Sequence, residues 1–154
     1  MRTDRGLPRF LLLLGRETGI WSLPKGHPEL ADASPLNTAI RETYEETRLQ
    51  PYSDYTLIGD VQRFGKRPYW IGHVNEQAVG RVRLAQREHS AAGWFTLAEI
   101  AGLKTNVDVR AWLKKAQSYN SNFVARLAAA GVTLPGCCAA KQPTHSCDAE
   151  CNAS

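Results

Sequence analysis

From residue 23 the chain runs Leu23-Pro24-Lys25-Gly26-His27, continues through a polar loop containing Glu29 and Asp32, and then reads Ser34-Pro35-Leu36-Asn37-Thr38-Ala39-Ile40-Arg41-Glu42-Thr43-Tyr44-Glu45-Glu46-Thr47-Arg48-Leu49. Ser34 offers a side-chain acceptor for a helix N-cap, and Pro35 suits the first helical position. Leu36, Ala39, Ile40 and Tyr44 recur at the helical period, so the spacing predicts a helix over 34–47 with one apolar face. Pro51 closes it. On the other side lie three acids. At 100° per residue, Glu46 stands about 40° round from Glu42, and Glu45 about 60° the opposite way. Like charges at these spacings repel by about 0.2–0.5 kcal/mol per pair. A helix that clusters them either leaves them in water or gives them a cation.

The preceding loop favours the cation. Pro24-Lys25-Gly26-His27 lies at a distance that can bring main-chain carbonyls and Lys25 towards the acidic arc. Carboxylates with a main-chain oxygen form a hard, oxygen-rich site that prefers Mg²⁺ or Mn²⁺ to zinc. Such a site suits attack of an activated water on phosphorus.

The stretch from Gly26 to Arg41-Glu42-Thr43-Tyr44-Glu45-Glu46-Thr47-Arg48-Leu49 resembles the Nudix box, G-x5-E-x7-R-E-U-x-E-E-x-G-U, where U is aliphatic. The resemblance implies an α/β fold, a Nudix-type α/β/α sandwich with a mixed β-sheet. It also implies hydrolysis of a nucleoside diphosphate linked to another moiety. Carried over, Glu42, Glu45 and Glu46 are the metal ligands with the carbonyl at Gly26, Arg41 orients the carboxylates, and Mg²⁺ (or Mn²⁺) is the cofactor. The chain departs from the pattern at three positions. Where the box has its first Glu, counting back from Arg41 gives Ala33, so Asp32 or Glu29 is expected to pair with Arg41. Thr43 fills an aliphatic slot, and Arg48 replaces the glycine of a left-handed turn. Only nine residues, polar and containing Gly6 and Pro8, precede Phe10, so the sheet is expected to lack the family's first strand.

Outside this segment, strand and helix signals alternate. Phe10–Leu14 reads as a buried strand, Ile20–Leu23 as a short extended piece, and Tyr55–Phe64 with Arg67–Val74 as a hairpin turning at Gly65-Lys66. Ala91–Leu97 reads as a further strand, followed by a short helix over Ala98–Leu103 and a longer one from Val107 to about Ala130. Hairpins mixed with helices predict a mixed sheet carrying helices.

The general run also resembles the small asymmetric dinucleoside-polyphosphate hydrolases, in Trp21 to His27, in Tyr69-Trp70, and in Arg87-Glu88-His89 before Trp94-Phe95. By that likeness Glu88 joins Glu42, Glu45 and Arg41 as a catalytic candidate, as general base or further ligand. Lys25, His27, Lys66, Arg67 and Arg87 are candidates for holding phosphates, and Tyr69 or Trp70 for stacking on a base. His73 reads as a core histidine; His89 looks exposed, and its role stays open. Diphosphoinositol polyphosphate hydrolysis is the nearest rival function, and capped RNA ranks behind it. A Nudix-fold domain that binds without catalysis is the alternative of a different class.

Composition sets the outer bounds. The 154 residues are 43% hydrophobic and 22% charged, with a formal net charge of +4. They form an expected Nudix domain over 1–133, able to bury a core without staples. The modest positive charge fits a phosphorylated small-molecule substrate. No Lys/Arg block indicates duplex DNA. No apolar run approaches the roughly 20 residues of a membrane span, and no leader pattern opens the chain, so an intracellular, cytoplasmic protein is expected. All four cysteines fall within 134–154, expected to be a flexible tail, where their spacing is not that of a structural zinc site.

Overall fold

The computed structural model describes residues 1–4 and 7–118 of the chain. The expected tail, and the part of the last helix beyond residue 118, lie outside the described residues. The elements in order are β1 (Arg2–Asp4), β2 (Leu7–Gly15), β3 (Trp21–Ser22), α1 (Pro35–Thr47), β4 (Tyr55–Phe64), β5 (Arg67–Val74), α2 (Glu76–Val79), β6 (His89–Phe95), α3 (Leu97–Ala101) and α4 (Val107–Ser118).

β2 is the hub. It pairs antiparallel with β1, with β3 and with β6, while β4 and β5 form a separate antiparallel ribbon. Among the described residues parallel pairing is confined to isolated bridges such as Trp21 to Thr105. The expected absence of a strand before β2 is corrected: Arg2 to Asp4 pair with Arg9 to Leu7, and three residues suffice because the partner strand begins earlier than its apolar run.

That run is continuous because β2 is covered on both faces. Leu12 packs with Phe10, Phe64, Ile100, Val109 and Trp112 on one side, where the Trp112 ring meets Phe10 edge-on at 4.8 Å. Leu11 and Leu13 point the other way, towards Leu49, Tyr55, Val74 and Ala78. Alternation along one strand thus produces two cores, with α3 and α4 on one and the segment after α1, with α2, on the other.

The β4–β5 ribbon bears a bulge. Ile58 pairs with Ile71 but Gln62 pairs with Tyr69, so residues 59–61 stand opposite Trp70 alone. Gly59 takes a positive φ of 66° there, a conformation without penalty only for glycine. This local kink is invisible in the alternation of the sequence.

α1 begins as the sequence predicts, with the Ser34 hydroxyl accepting from the Asn37 amide. Its end differs from the family pattern in residue but not in shape. Arg48 adopts φ 63° and its N–H caps the Tyr44 carbonyl at 2.7 Å, with the guanidinium 5.3 Å from the centre of the Tyr44 ring. The stacked side chain offsets part of the cost of a left-handed non-glycine residue. Tyr44 is therefore a surface residue, 39% exposed, and not part of a packed stripe. Leu36, Ala39 and Ile40 line an apolar cavity of about 320 Å³ shared with the β4–β5 ribbon. The residues that α1 does bury are Thr38, Glu46 and Thr47.

Candidate active site

The acids of α1 are held by main chain. The Lys25 amide donates to Glu46 Oε2 at 2.9 Å, and the His27 amide donates to Glu42 Oε1 at 3.0 Å. Gly26 lies between them. A Cβ on Gly26 would overlap the Glu42 carboxylate, so only glycine lets the loop come this close.

Arg41 ties the loop to the helix. Its Nε and Nη2 donate to the two oxygens of Asp32 at 3.1 and 3.0 Å, and Nη2 also donates to the His27 carbonyl at 2.8 Å. Nη1 reaches Glu42 and Glu45, each at 3.1 Å, and Glu29 at 3.3 Å. Both expected stand-ins are therefore recruited, with Asp32 taking the bidentate place. Asp32 also accepts from the Glu29 amide and the Thr38 hydroxyl, each at 2.9 Å. Hydrogen bonding to Arg41, then to the Glu29 amide, holds its carboxyl well below the usual carboxylate range. The Arg41 guanidinium is pushed up in turn, first by Asp32.

Glu46 is the most enclosed of the three acids, 4% exposed. Its Oε1 meets His89 Nε2 at 2.8 Å. Burial pushes its carboxyl up, against the opposing effects of His89 and the Lys25 amide. The expectation that His89 is exposed is corrected: the ring is buried, because β6 starts at this residue opposite Gly15 and draws it under the sheet edge. The turn carrying Glu88 is fastened to the end of β2, with the Arg16 amide on the Glu88 carbonyl at 2.8 Å and Arg16 Nε on the Gln86 carbonyl at 2.7 Å. One candidate ligand atom each from Glu46, Glu88 and His89 falls within 4.8 Å of the other two. The two carboxylates of this group are the hard oxygen donors that suit a divalent cation such as Mg²⁺ or Mn²⁺.

Glu45 is half-exposed on the same arc, and Glu88 is exposed. Lys25, Gly26 and Thr43 form one wall of a cleft of about 150 Å³, with Arg67, Tyr69 and Trp70 forming the other. Arg67 and Tyr69 are engaged within the protein: Arg67 Nη1 and the Tyr69 hydroxyl both donate to Asp108 Oδ2, at 3.2 and 2.9 Å. The Tyr69 ring also stacks on Phe64 with centroids 4.6 Å apart. Burial, then the bond to Asp108, pushes the Tyr69 phenol far up. Lys66 is exposed at the tip of the hairpin, and the His27 side chain is exposed above the loop. The half-buried His73 has its pKa lowered by burial.

Sequence reasoning missed Asp108 as the anchor of the hairpin and His89 as the partner of Glu46. For His89 the adjacency to Glu88 was a usable signal; for Asp108 there was none.

A model of the NUDIX domain matches residues 2–116. The chain belongs to the NUDIX domain family. This membership makes it a hydrolase. No curated protein matches it by sequence. Among solved structures it is similar to the Ap4A hydrolase of C. elegans in a binary complex, with 24% identity and a TM-score of 0.61, covering 79% of this chain and 93% of that one. A second structure of C. elegans Ap4A hydrolase gives 23% identity and 0.56, over 77% and 91% of the two chains. A MutT NUDIX hydrolase from Burkholderia pseudomallei gives 23% and 0.52, over 69% and 86%. These likenesses establish the shared fold. Among the described residues no helix is long and apolar enough to cross a membrane.

Proposed function

We propose that this NUDIX domain is a pyrophosphohydrolase that uses Mg²⁺ or Mn²⁺ to cleave a phosphoric anhydride of a dinucleoside polyphosphate. The observation that carries the reading is the pair of main-chain amides, from Lys25 and His27, that pin Glu46 and Glu42 beside Gly26. Glu42, Glu45 and Glu46, with the Gly26 carbonyl, would hold the cation. When bound, the cation supplies Lewis acidity that activates water and neutralises charge on the leaving phosphate.

The protein's own contribution is orientation and proton transfer. Arg41 fixes the carboxylates of Glu42 and Glu45 through Nη1. The exposed carboxylate of Glu88 accepts the proton of the attacking water. Lys25 flanks the cleft and attracts phosphate oxygens, while Trp70, across from the bulge, offers an aromatic face to a base. Arg67 is bonded to Asp108, which leaves the hairpin without the dense basic pocket that a diphosphoinositol phosphate needs and favours the dinucleoside substrate. The fold shared with the nematode Ap4A hydrolase makes diadenosine tetraphosphate the first compound to assay.

The test is Mg²⁺-dependent nucleotide or phosphate release from diadenosine tetraphosphate, a diphosphoinositol phosphate, ADP-ribose and a capped RNA, with Glu46→Gln as control. Preferred cleavage of the first, reduced at least ~100-fold in the variant, supports the proposal. Preference for another substrate overturns the substrate assignment. No turnover from folded protein overturns the dinucleoside assignment and points to a substrate outside this panel or to a domain that binds without catalysis.

A further inference from the structure

His89 has one polar partner on its ring, and that partner is Glu46. The remaining ring nitrogen, Nδ1, is buried and has no hydrogen-bond partner among the described residues. This arrangement defines what the ring does. An imidazole that binds a metal donates its second N–H to a carbonyl, carboxylate or water, which fixes its orientation. Here Nε2 is engaged by Glu46 itself, so His89 reaches the acids of the site through that bond. Its Nε2 lies 2.8 Å from Glu46 Oε1, in the place of a donor to a carboxylate.

Glu46 is thereby held from two sides. The Lys25 amide takes Oε2 from the loop before α1, and His89 takes Oε1 from the start of β6. A carboxylate oxygen that accepts one hydrogen bond keeps a second lone pair for another partner. His89 is itself fixed, since its amide donates to the Ala85 carbonyl at 3.0 Å and β6 pairs it with Gly15. The Ala85 amide in turn donates to the Glu46 carbonyl at 3.2 Å, closing a short circuit between the end of α1 and the turn before β6.

We propose that His89 is a positioning residue: its Nε2–H clamps Glu46 Oε1 so that the carboxylate meets the divalent cation in one orientation, with the imidazole outside the coordination sphere. The inference rests on the reading of Glu46 as a metal ligand. Removing an outer hydrogen bond of this kind typically weakens metal affinity 10- to 100-fold.

The test measures Mn²⁺ binding to the full chain, without substrate, from the electron paramagnetic resonance signal of the free ion. Three variants are compared: His89→Gln, His89→Asn and Glu46→Gln. Gln can place an amide nitrogen where imidazole Nε2 lies, whereas Asn stops a methylene short. The expected result is a loss of about tenfold or more in H89N and near-complete rescue, within about threefold of the parent, in H89Q. Near-parental affinity in folded H89N overturns the proposal. So does H89Q binding as weakly as H89N, because the imidazole is then itself a ligand. Parental affinity in E46Q overturns the metal reading beneath it, and the proposal falls for that separate reason. If H89N does not fold, His89→Met, which fills the site without a donor, takes its place with the same expected and overturning results.

Discussion

Asp32 and Arg41 share a two-pronged ion pair, Nε to Oδ1 at 3.1 Å and Nη2 to Oδ2 at 3.0 Å, that joins the loop to the acidic helix nine residues on. The same guanidinium contacts Glu29, Glu42 and Glu45 and the His27 carbonyl. It therefore sits at the centre of the site's electrostatics, and Asp32 decides how it is turned.

Replacing Asp32 by Asn has a pH signature. The folded-state pKa of Asp32 is depressed, so its stabilising contribution is fully present above the unfolded value of about 3.9 and is lost as pH falls towards the folded value. The difference in melting temperature between the parent and D32N should stay constant from pH 5 to 8 and shrink below about pH 4. A difference independent of pH down to 2 would show that the pair does not set this stability.

Gly26→Ala forces a methyl group into the Glu42 carboxylate. Overpacking of this sort costs about 1–3 kcal/mol. Either the loop or the Glu42 carboxylate must shift, and both break their alignment, so turnover in saturating Mg²⁺ should fall by at least ~100-fold while the far-ultraviolet dichroism is unchanged, a contrast that steady-state kinetics on the purified variant would test.

Tyr69→Phe tests whether this ring serves the substrate or the fold. The hydroxyl bonds to buried Asp108, and its loss should cost about 1 kcal/mol in urea unfolding. With the ring still stacked on Phe64, turnover should stay within about threefold of the parent. A tenfold rise in KM with unchanged stability would instead return Tyr69 to the substrate site.

Arg48→Gly relieves a left-handed residue with φ 63° at the end of α1. Glycine removes a strain of about 1–2 kcal/mol, offset by a lost contact with Tyr44 of about 0.5 kcal/mol and by greater freedom of the unfolded chain. The net expectation is a small gain, read as a rise of a few degrees in thermal melting. A fall would show that the Arg48–Tyr44 stack outweighs the strain.

What the sequence disclosed about this molecule was local in origin. Ser34 and Pro35 mark the start of α1, and Gly65-Lys66 marks the hairpin turn, because caps and tight turns are decided by a few adjacent residues. The acids of the site were readable for the same reason, as a spacing on one helix. The contacts between distant segments were not readable: the union of Glu46 with His89 spans 43 residues, and that of Tyr69 with Asp108 spans 39. Nor was the direction of the Leu36–Ile40 face, since periodicity states which residues share a side but not whether anything fills the space before them.

The two amides that hold Glu42 and Glu46 come from His27 and Lys25. Peptide groups are common to every residue except proline as donors, so these positions can exchange side chains without releasing the acids. The half-buried Lys25 and exposed His27 side chains then form a rewritable rim on a main-chain frame. Side chains there could change while the hold on the acids is inherited intact, and only proline at either place would be barred.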